Sequence, residues 1–544
     1  MSTRFDRRDF LRGSVLATAA TTASAAAADA GTPVGKPTLS LASGFNLEEA
    51  TLAQLAELQT AGKTTSRELT LAYLARIAAL DKKGPNLRAF IETNPQALDE
   101  ADALDKERKE KGPRGPLHGI PVALKDNIDT IGPMQTTAGS LALEGVPTLG
   151  DAAVVLALKK AGAVILGKTN LSEWANARSD ASTSGWSARG GLTRNPYALD
   201  RTPSGSSSGS AVAVSANLCP VAVGTETDGS VTHPASLCGI VGIKPTVGLI
   251  SRTGIIPISP NMDTAGPMAR TVADAAVLLT AMVGDVDPLD KATQAKARPG
   301  KPIDYAAELG KKGGLDKARI GIVRSTLGKN KRVWALLDAA AEAMKKAGAT
   351  VVDGLKLPKV DEGETMKWEL KATLAAYLKT RRPASPHQTL EDLIKFNVEN
   401  ASREMPWFQQ EFFESAQKKT ALTDPAYAKS RAKDLSNART KGIDALMAQH
   451  KLDALATVTA DGATVIDLLN GDNFTGSYGC QHPSIAGYPS ISVPMGDDFG
   501  LPVGLLLYSK AWSEVQLLEY AWGFEQATRA RKVPQFLPTL KVPA

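Results

Sequence analysis

Residues 203–234 concentrate the small polar side chains from which a hydrolytic site could be built. The stretch opens on Ser204-Gly205-Ser206-Ser207-Ser208-Gly209-Ser210 and passes through small residues at 211–218 that can form a closely packed helix. An apolar strand at 221–223 then delivers a tight turn, Thr227-Asp228-Gly229-Ser230. Glycines and small hydroxyl residues leave backbone N–H groups uncovered, and such groups can hold negative charge that develops only in a transition state. A second chemical element is Lys125, which ends the apolar run Gly119-Ile120-Pro121-Val122-Ala123-Leu124. A lysine in that place ordinarily extends its amine into water. As a general base it must be neutral, which means a fall from about 10.4 to roughly 7–8. Three units correspond to about 4 kcal/mol, within reach of burial plus neighbouring donors. Position alone favours the solvated reading.

Two pattern matches fail on physical grounds. Gly162-Ala163-Val164-Ile165-Leu166-Gly167-Lys168-Thr169 matches the P-loop letter for letter. A P-loop needs a flexible loop after a strand, whose N–H groups wrap phosphate, whereas Ala-Val-Ile-Leu is itself the strand. Gly205-Ser206-Ser207-Ser208-Gly209 matches a nucleophile elbow centred on Ser207. That elbow requires a buried strand directly before it and an acid and a histidine downstream. Residues 199–204 do not read as a buried strand, and His450 and His482 carry no supporting pattern.

The elements that must position these residues alternate between helix and strand. Residues 46–60 read as an amphipathic helix with Asn46 as N-cap, and Ser66 precedes a helix that runs to Leu80. Pro95 opens a charged helix that Gly112 ends. The strand ending at Lys125 is followed by a helix at 152–161 and a strand at 163–166. Strand patterns return at 454–458, 490–493 and 503–508, while 290–450 reads as mostly helical, for example at 333–347 and 435–450. This alternation predicts an α/β protein with a mixed central β-sheet covered by helices on both faces, the late strands completing the same sheet. A single large domain is expected over residues 45–535.

The totals exclude several classes. A net charge of +6 spread over 544 residues suggests neither a nucleic-acid partner nor a membrane surface. Cys219, Cys238 and Cys480 cannot form a disulfide framework, and five scattered histidines give no zinc spacing, so no metal and no cofactor are expected. Arg7-Arg8-Asp9-Phe10-Leu11 followed by an Ala-rich apolar stretch reads as a twin-arginine-type signal peptide over residues 1–28. That stretch is too short and too polar to span a bilayer, so no membrane insertion is expected after processing. Residues 29–44 read as a flexible lead-in. The expected location is exported, periplasmic or secreted.

Taken together, Pro116 through Asn127, Gly205-Ser206-Ser207, Gly224-Thr225-Glu226-Thr227-Asp228-Gly229-Ser230 and Gly242-Ile243-Lys244-Pro245-Thr246 strongly resemble the amidase signature family. Asp263-Thr264-Ala265-Gly266-Pro267-Met268 fits as well, and the resemblance covers residues 46–530. Within the family, Leu171-Ser172-Glu173-Trp174-Ala175-Asn176 and residues 184–191 look like the bacterial peptide amidases, which remove the C-terminal amide from peptides. The resemblance implies a Ser–cis-Ser–Lys triad with Ser230 as nucleophile, Ser206 as bridging serine after a cis Gly205–Ser206 peptide, and Lys125 as base. It implies an oxyanion hole from the backbone N–H groups of Thr227, Asp228, Gly229 and Ser230, with Ser207, Asn127 and Thr225 in support.

This sequence departs from the common family turn, Asp-Thr-Gly-Gly-Ser-Ile-Arg, in carrying Asp228 where a glycine is usual. Ser204 replaces another usual glycine, and His233 stands where a smaller residue is usual and reads as a pocket wall. The resulting expectation is an amidase that converts a carboxamide to acid and ammonia, with a small amide or amidated peptide as substrate, acting as a monomer or small homo-oligomer. Two rivals are a transamidation subunit acting on charged tRNA, which the leader disfavours, and an inactive secreted binder of amides or peptides.

Overall fold

The computed structural model describes residues 40–541 apart from 42, 43, 362, 474 and 475. The expected leader at 1–28 lies outside the described residues, as does the lead-in except for 40, 41 and 44. The strands are β1 (Phe90–Thr93), β2 (Pro121–Lys125), β3 (Val164–Thr169), β4 (Trp186–Ser187), β5 (Gly191–Leu192), β6 (Val221–Glu226) and β7 (Val241–Lys244). They continue with β8 (Thr264–Ala269), β9 (Arg319–Val323), β10 (Thr350–Leu355), β11 (Ala454–Val458), β12 (Ser490–Asp498) and β13 (Leu501–Tyr508). Eleven of them form one sheet in the order β1-β3-β2-β6-β8-β7-β12-β13-β11-β9-β10, and β4 with β5 makes a separate ribbon.

The sheet is mixed. β2 runs parallel to both β3 and β6, the centre from β6 through β8, β7, β12 and β13 to β11 is antiparallel, and β9 is parallel to β11 and β10. Successive strand residues face opposite sides, so a strand buried at every position has both faces covered. β2, β3, β6, β7, β8 and β13 are each buried along their whole length. Helices therefore sandwich the sheet, as the strand–helix alternation predicted. The late strands join the early ones through β7–β12, also as expected.

Three local readings are corrected. The first helix is Leu52–Thr60, and its N-cap is Thr51: Thr51 and Gln54 form a capping box, a reciprocal pair of hydrogen bonds that outcompetes Asn46. Asn46 instead accepts from the Glu48 N–H within a turn. Residues 435–450 are not one helix: Pro425–Ala438 and Asp444–His450 flank a π-type turn at Arg439–Ile443 that breaks at Gly442. The 290–450 region also contributes β9 and β10, which are too short for their period to be told from helix, and β10, on the sheet edge, is half polar. Residues 164–169 of the P-loop match form β3, as its apolar run predicted. Its Lys168 is fully buried, with Nζ donating to the Thr136 hydroxyl at 2.8 Å and to the Ile128 carbonyl.

Candidate active site

The parallel register of β2 and β6, with Leu124 opposite Val223, brings Lys125 level with Gly224 and so next to Thr225, near the ends of the two strands. The Gly/Ser run crosses above them and feeds the helix Ser208–Ser215, buried at every residue. Gly205 is required by close approach, since a Cβ there would lie 2.1 Å from Ser172 Oγ. The Gly205–Ser206 peptide is cis, and the Ser206 carbonyl accepts from the Ser172 N–H at 3.0 Å. Ser204 holds φ +61°, in the left-handed region that favours the glycine usual at this position.

Lys125 does not reach water. It is fully buried, with Nζ 2.7 Å from Ser206 Oγ, 2.9 Å from Thr225 Oγ1 and 3.1 Å from the Thr225 carbonyl oxygen. Asn127 Nδ2 donates to the same Thr225 hydroxyl at 2.9 Å. Burial lowers the amine from an ordinary 10.5 to about 7, against the smaller opposing pull of the Glu226 and Asp263 carboxylates. Ser207 is bracketed rather than poised: its hydroxyl donates to the Thr225 carbonyl at 3.1 Å and accepts from the Thr225 N–H at 3.2 Å. Its own N–H donates to the Ser230 carbonyl at 3.0 Å, tying the Gly/Ser run to the turn.

That turn is held from three sides. Glu226 Oε2 accepts from the Val231 and Thr232 N–H groups at 2.8 and 2.9 Å, closing the chain behind residues 227–230. The Thr227 hydroxyl donates to Asp263 Oδ1 at 2.7 Å, while Asp263 Oδ2 accepts from the N–H groups of Ile258 and Ser259. Tyr478 OH donates to Asp228 Oδ2 at 2.7 Å. Gly229 has φ +73°, and a Cβ there would press on the His233 ring at 3.3 Å. His233 packs edge-on against Tyr478, ring centroids 4.4 Å apart, and burial lowers its pKa to about 4, so it is neutral at ordinary pH. It is a wall, as its sequence position suggested.

A cavity of about 230 Å³ reaches this turn, with Gly205, Thr227, Asp228 and Ser230 on one side. Ile258, Met366 and Phe412 supply an apolar side, and Ala175 and Asn176 complete it. Trp174, Ala175 and Asn176 are consecutive left-handed residues, φ 51°, 55° and 69°. A buried Glu173–Arg178 ion pair at 2.8 Å spans that turn, and the Arg178 carbonyl accepts from the Phe413 N–H. Lys125, Ser206, Ser207, Thr225 and Asn127 are thus in direct contact, and Thr227, Asp228, Gly229 and Ser230 form the turn beside them. The sequence reading missed Glu226 and Asp263 as positioning residues, although both stand inside quoted motifs. Tyr478, Met366 and Phe412 carried no local signal at all. Among the described residues no group of three His, Cys, Asp or Glu side chains is placed to hold a metal ion.

The family described as Amidase matches residues 68–518. A probable amidase of Arabidopsis thaliana is 41% identical over 516 residues, covering 91% of this chain and 93% of that protein. The crystal structure of native peptide amidase from Stenotrophomonas maltophilia superposes with a TM-score of 0.85 at 50% identity, covering 90% of this chain and 99% of that one. A glutamyl-tRNA(Gln) amidotransferase subunit of Synechococcus sp. is 35% identical over 497 residues, 88% of this chain and 97% of that protein.

Proposed function

The chain belongs to the amidase family and hydrolyses amide bonds, and from that premise we propose that it converts the C-terminal carboxamide of peptides to a free acid and ammonia through an acyl-enzyme. The observation that carries the mechanism is a fully buried amine, lowered to about 7, lying 2.7 Å from the Ser206 hydroxyl. A neutral amine has two N–H bonds and one lone pair. With the Thr225 carbonyl and hydroxyl taking the two N–H groups, the lone pair is left facing the Ser206 O–H. Ser206 passes its proton to Lys125 and takes one from Ser230, whose oxygen attacks the amide carbon. The N–H groups of the 227–230 turn receive the oxyanion, each such donor being worth about 3–4 kcal/mol. As the C–N bond breaks, the relay returns the proton to the departing nitrogen, which leaves as ammonia. Water, deprotonated by the same relay, then attacks the Ser230 ester and releases the acid.

Support for a peptide amide as substrate comes from the likeness to the Stenotrophomonas enzyme and from a cavity whose apolar side can take a residue's side chain. Ammonia release across peptide amides, aryl amides and fatty amides tests this. Peptide amides should give the highest kcat/KM, and turnover confined to aryl or fatty amides would overturn the substrate assignment. The Synechococcus relative motivates a second reading as a transamidation subunit. Rapid ammonia release by the isolated chain, without tRNA or partner, would exclude it. Export is part of the proposal and rests on Arg7 and Arg8. Fusing residues 1–40 to a reporter should carry it across the inner membrane, and replacing both arginines with lysine should retain it in the cytoplasm.

A further inference from the structure

Among the described residues, Asp228 is the one carboxylate lining the catalytic cavity, and the relay has no use for it. It stands on the turn two residues before Ser230, where the family usually has glycine. Its carboxylate is anchored: Oδ2 accepts from Tyr478 OH at 2.7 Å, and the Tyr478 ring is itself packed edge-on against His233. Asp228 and Ser230 line the same cavity. When a planar carboxamide puts its oxygen against the turn's N–H groups, its nitrogen lies next to that oxygen, along the same turn. Resting on the amide-hydrolysis reading above, we propose that Asp228, positioned by Tyr478, determines specificity for the leaving group by accepting an N–H from the scissile primary carboxamide.

The chemistry of the carboxylate makes this selective. It only accepts hydrogen bonds and has room for about four. A primary amide offers it two N–H donors, and an ester offers none. The free-acid product presents a second negative charge, and like charges set against each other are disfavoured. A site built to pair a substrate N–H discriminates strongly against analogues that lack it. The same carboxylate therefore favours the amide substrate and helps to expel the acid.

The test compares a peptide amide with the methyl ester of the same acyl peptide, using wild type, Asp228→Asn and Tyr478→Phe, and measures inhibition by the free-acid peptide. In Asp228→Asn, kcat/KM for the amide should fall at least about tenfold while that for the ester stays within about threefold. The acid should inhibit this variant about tenfold more tightly than wild type. Tyr478→Phe should lower the amide-to-ester ratio in the same direction by a smaller factor. Circular dichroism and thermal unfolding matching wild type show, independently of turnover, that the variants are folded. Equal losses on amide and ester in Asp228→Asn, with wild-type amide hydrolysis intact, would overturn this inference alone. A wild-type enzyme that releases no ammonia from any amide would overturn the amidase reading with it.

Discussion

Replacing Lys125 with methionine should remove activity and make the protein more stable at neutral pH. The amine sits in a fully buried site that lowers it from 10.5 to about 7. At about 1.36 kcal/mol per unit, holding it neutral costs the fold about 5 kcal/mol at pH 7. Methionine carries no such cost, but it loses the three contacts of Nζ with Ser206 and Thr225, at about 1 kcal/mol each. The variant should therefore be about 2 kcal/mol more stable than wild type at pH 7. The sign of the pH dependence follows from linkage. Between the folded value near 7 and the unfolded value of 10.5, the unfolded chain binds a proton that the folded chain does not. Wild-type stability from this group is thus fully present above the unfolded value and is lost as pH falls toward the folded one. Methionine has no titration, so its advantage should shrink by about 3 kcal/mol between pH 7 and pH 9.5 and reverse. Thermal unfolding at a fixed scan rate across that range measures this. A variant less stable than wild type by a constant amount at every pH would show that the amine is not desolvated, and the base assignment would lose its physical ground.

Other outcomes follow from the same contacts. The pH profile of kcat/KM should rise with an apparent pKa of about 7 as Lys125 loses its proton, and then level off; a flat profile from pH 5.5 to 8.5 would contradict this. Ser206→Ala should lower kcat by about 10²–10⁴ with little change in KM, whereas Ser207→Ala, which only loosens the bracket to Thr225, should retain most activity. Steady-state kinetics on one peptide amide distinguishes the two, and the reverse ranking would restore Ser207 as nucleophile. Glu226→Gln keeps the shape of the clamp behind the oxyanion turn but removes its charge from two N–H contacts. It should reduce kcat about tenfold, in keeping with charged hydrogen bonds worth about 1.5–3 kcal/mol. A change confined to KM would argue against that role.

The part of the site legible in the sequence is the part built from chain-local chemistry. Gly205 and Gly229 are demanded by a close approach and a positive φ, so they stand in recognisable motifs beside the serines they present. The burial of Lys125 is not legible locally, because a lysine ending an apolar strand is covered only if the next strand and the crossing loop lie over it. The pocket's far wall is illegible for a different reason. Met366, Phe412 and Tyr478 reach the turn from more than 130 residues downstream, on elements whose own periodicity says only that they are buried or helical. Strands β9 and β10 escape a sequence reading because a five-residue apolar run and a six-residue half-polar one do not define a period. The Asn46 cap is a misreading because the reciprocal Thr51–Gln54 pair lies inside the same window.

The relay stands or falls on which oxygen carries the acyl group. Mixing the enzyme with a slowly deacylating peptide ester, quenching in acid and mapping the adduct by mass spectrometry answers this directly. A single acylated residue, Ser230, is expected, with no adduct in Ser230→Ala; an acyl group on Ser206 or Ser207, or an adduct that persists in Ser230→Ala, would contradict the relay.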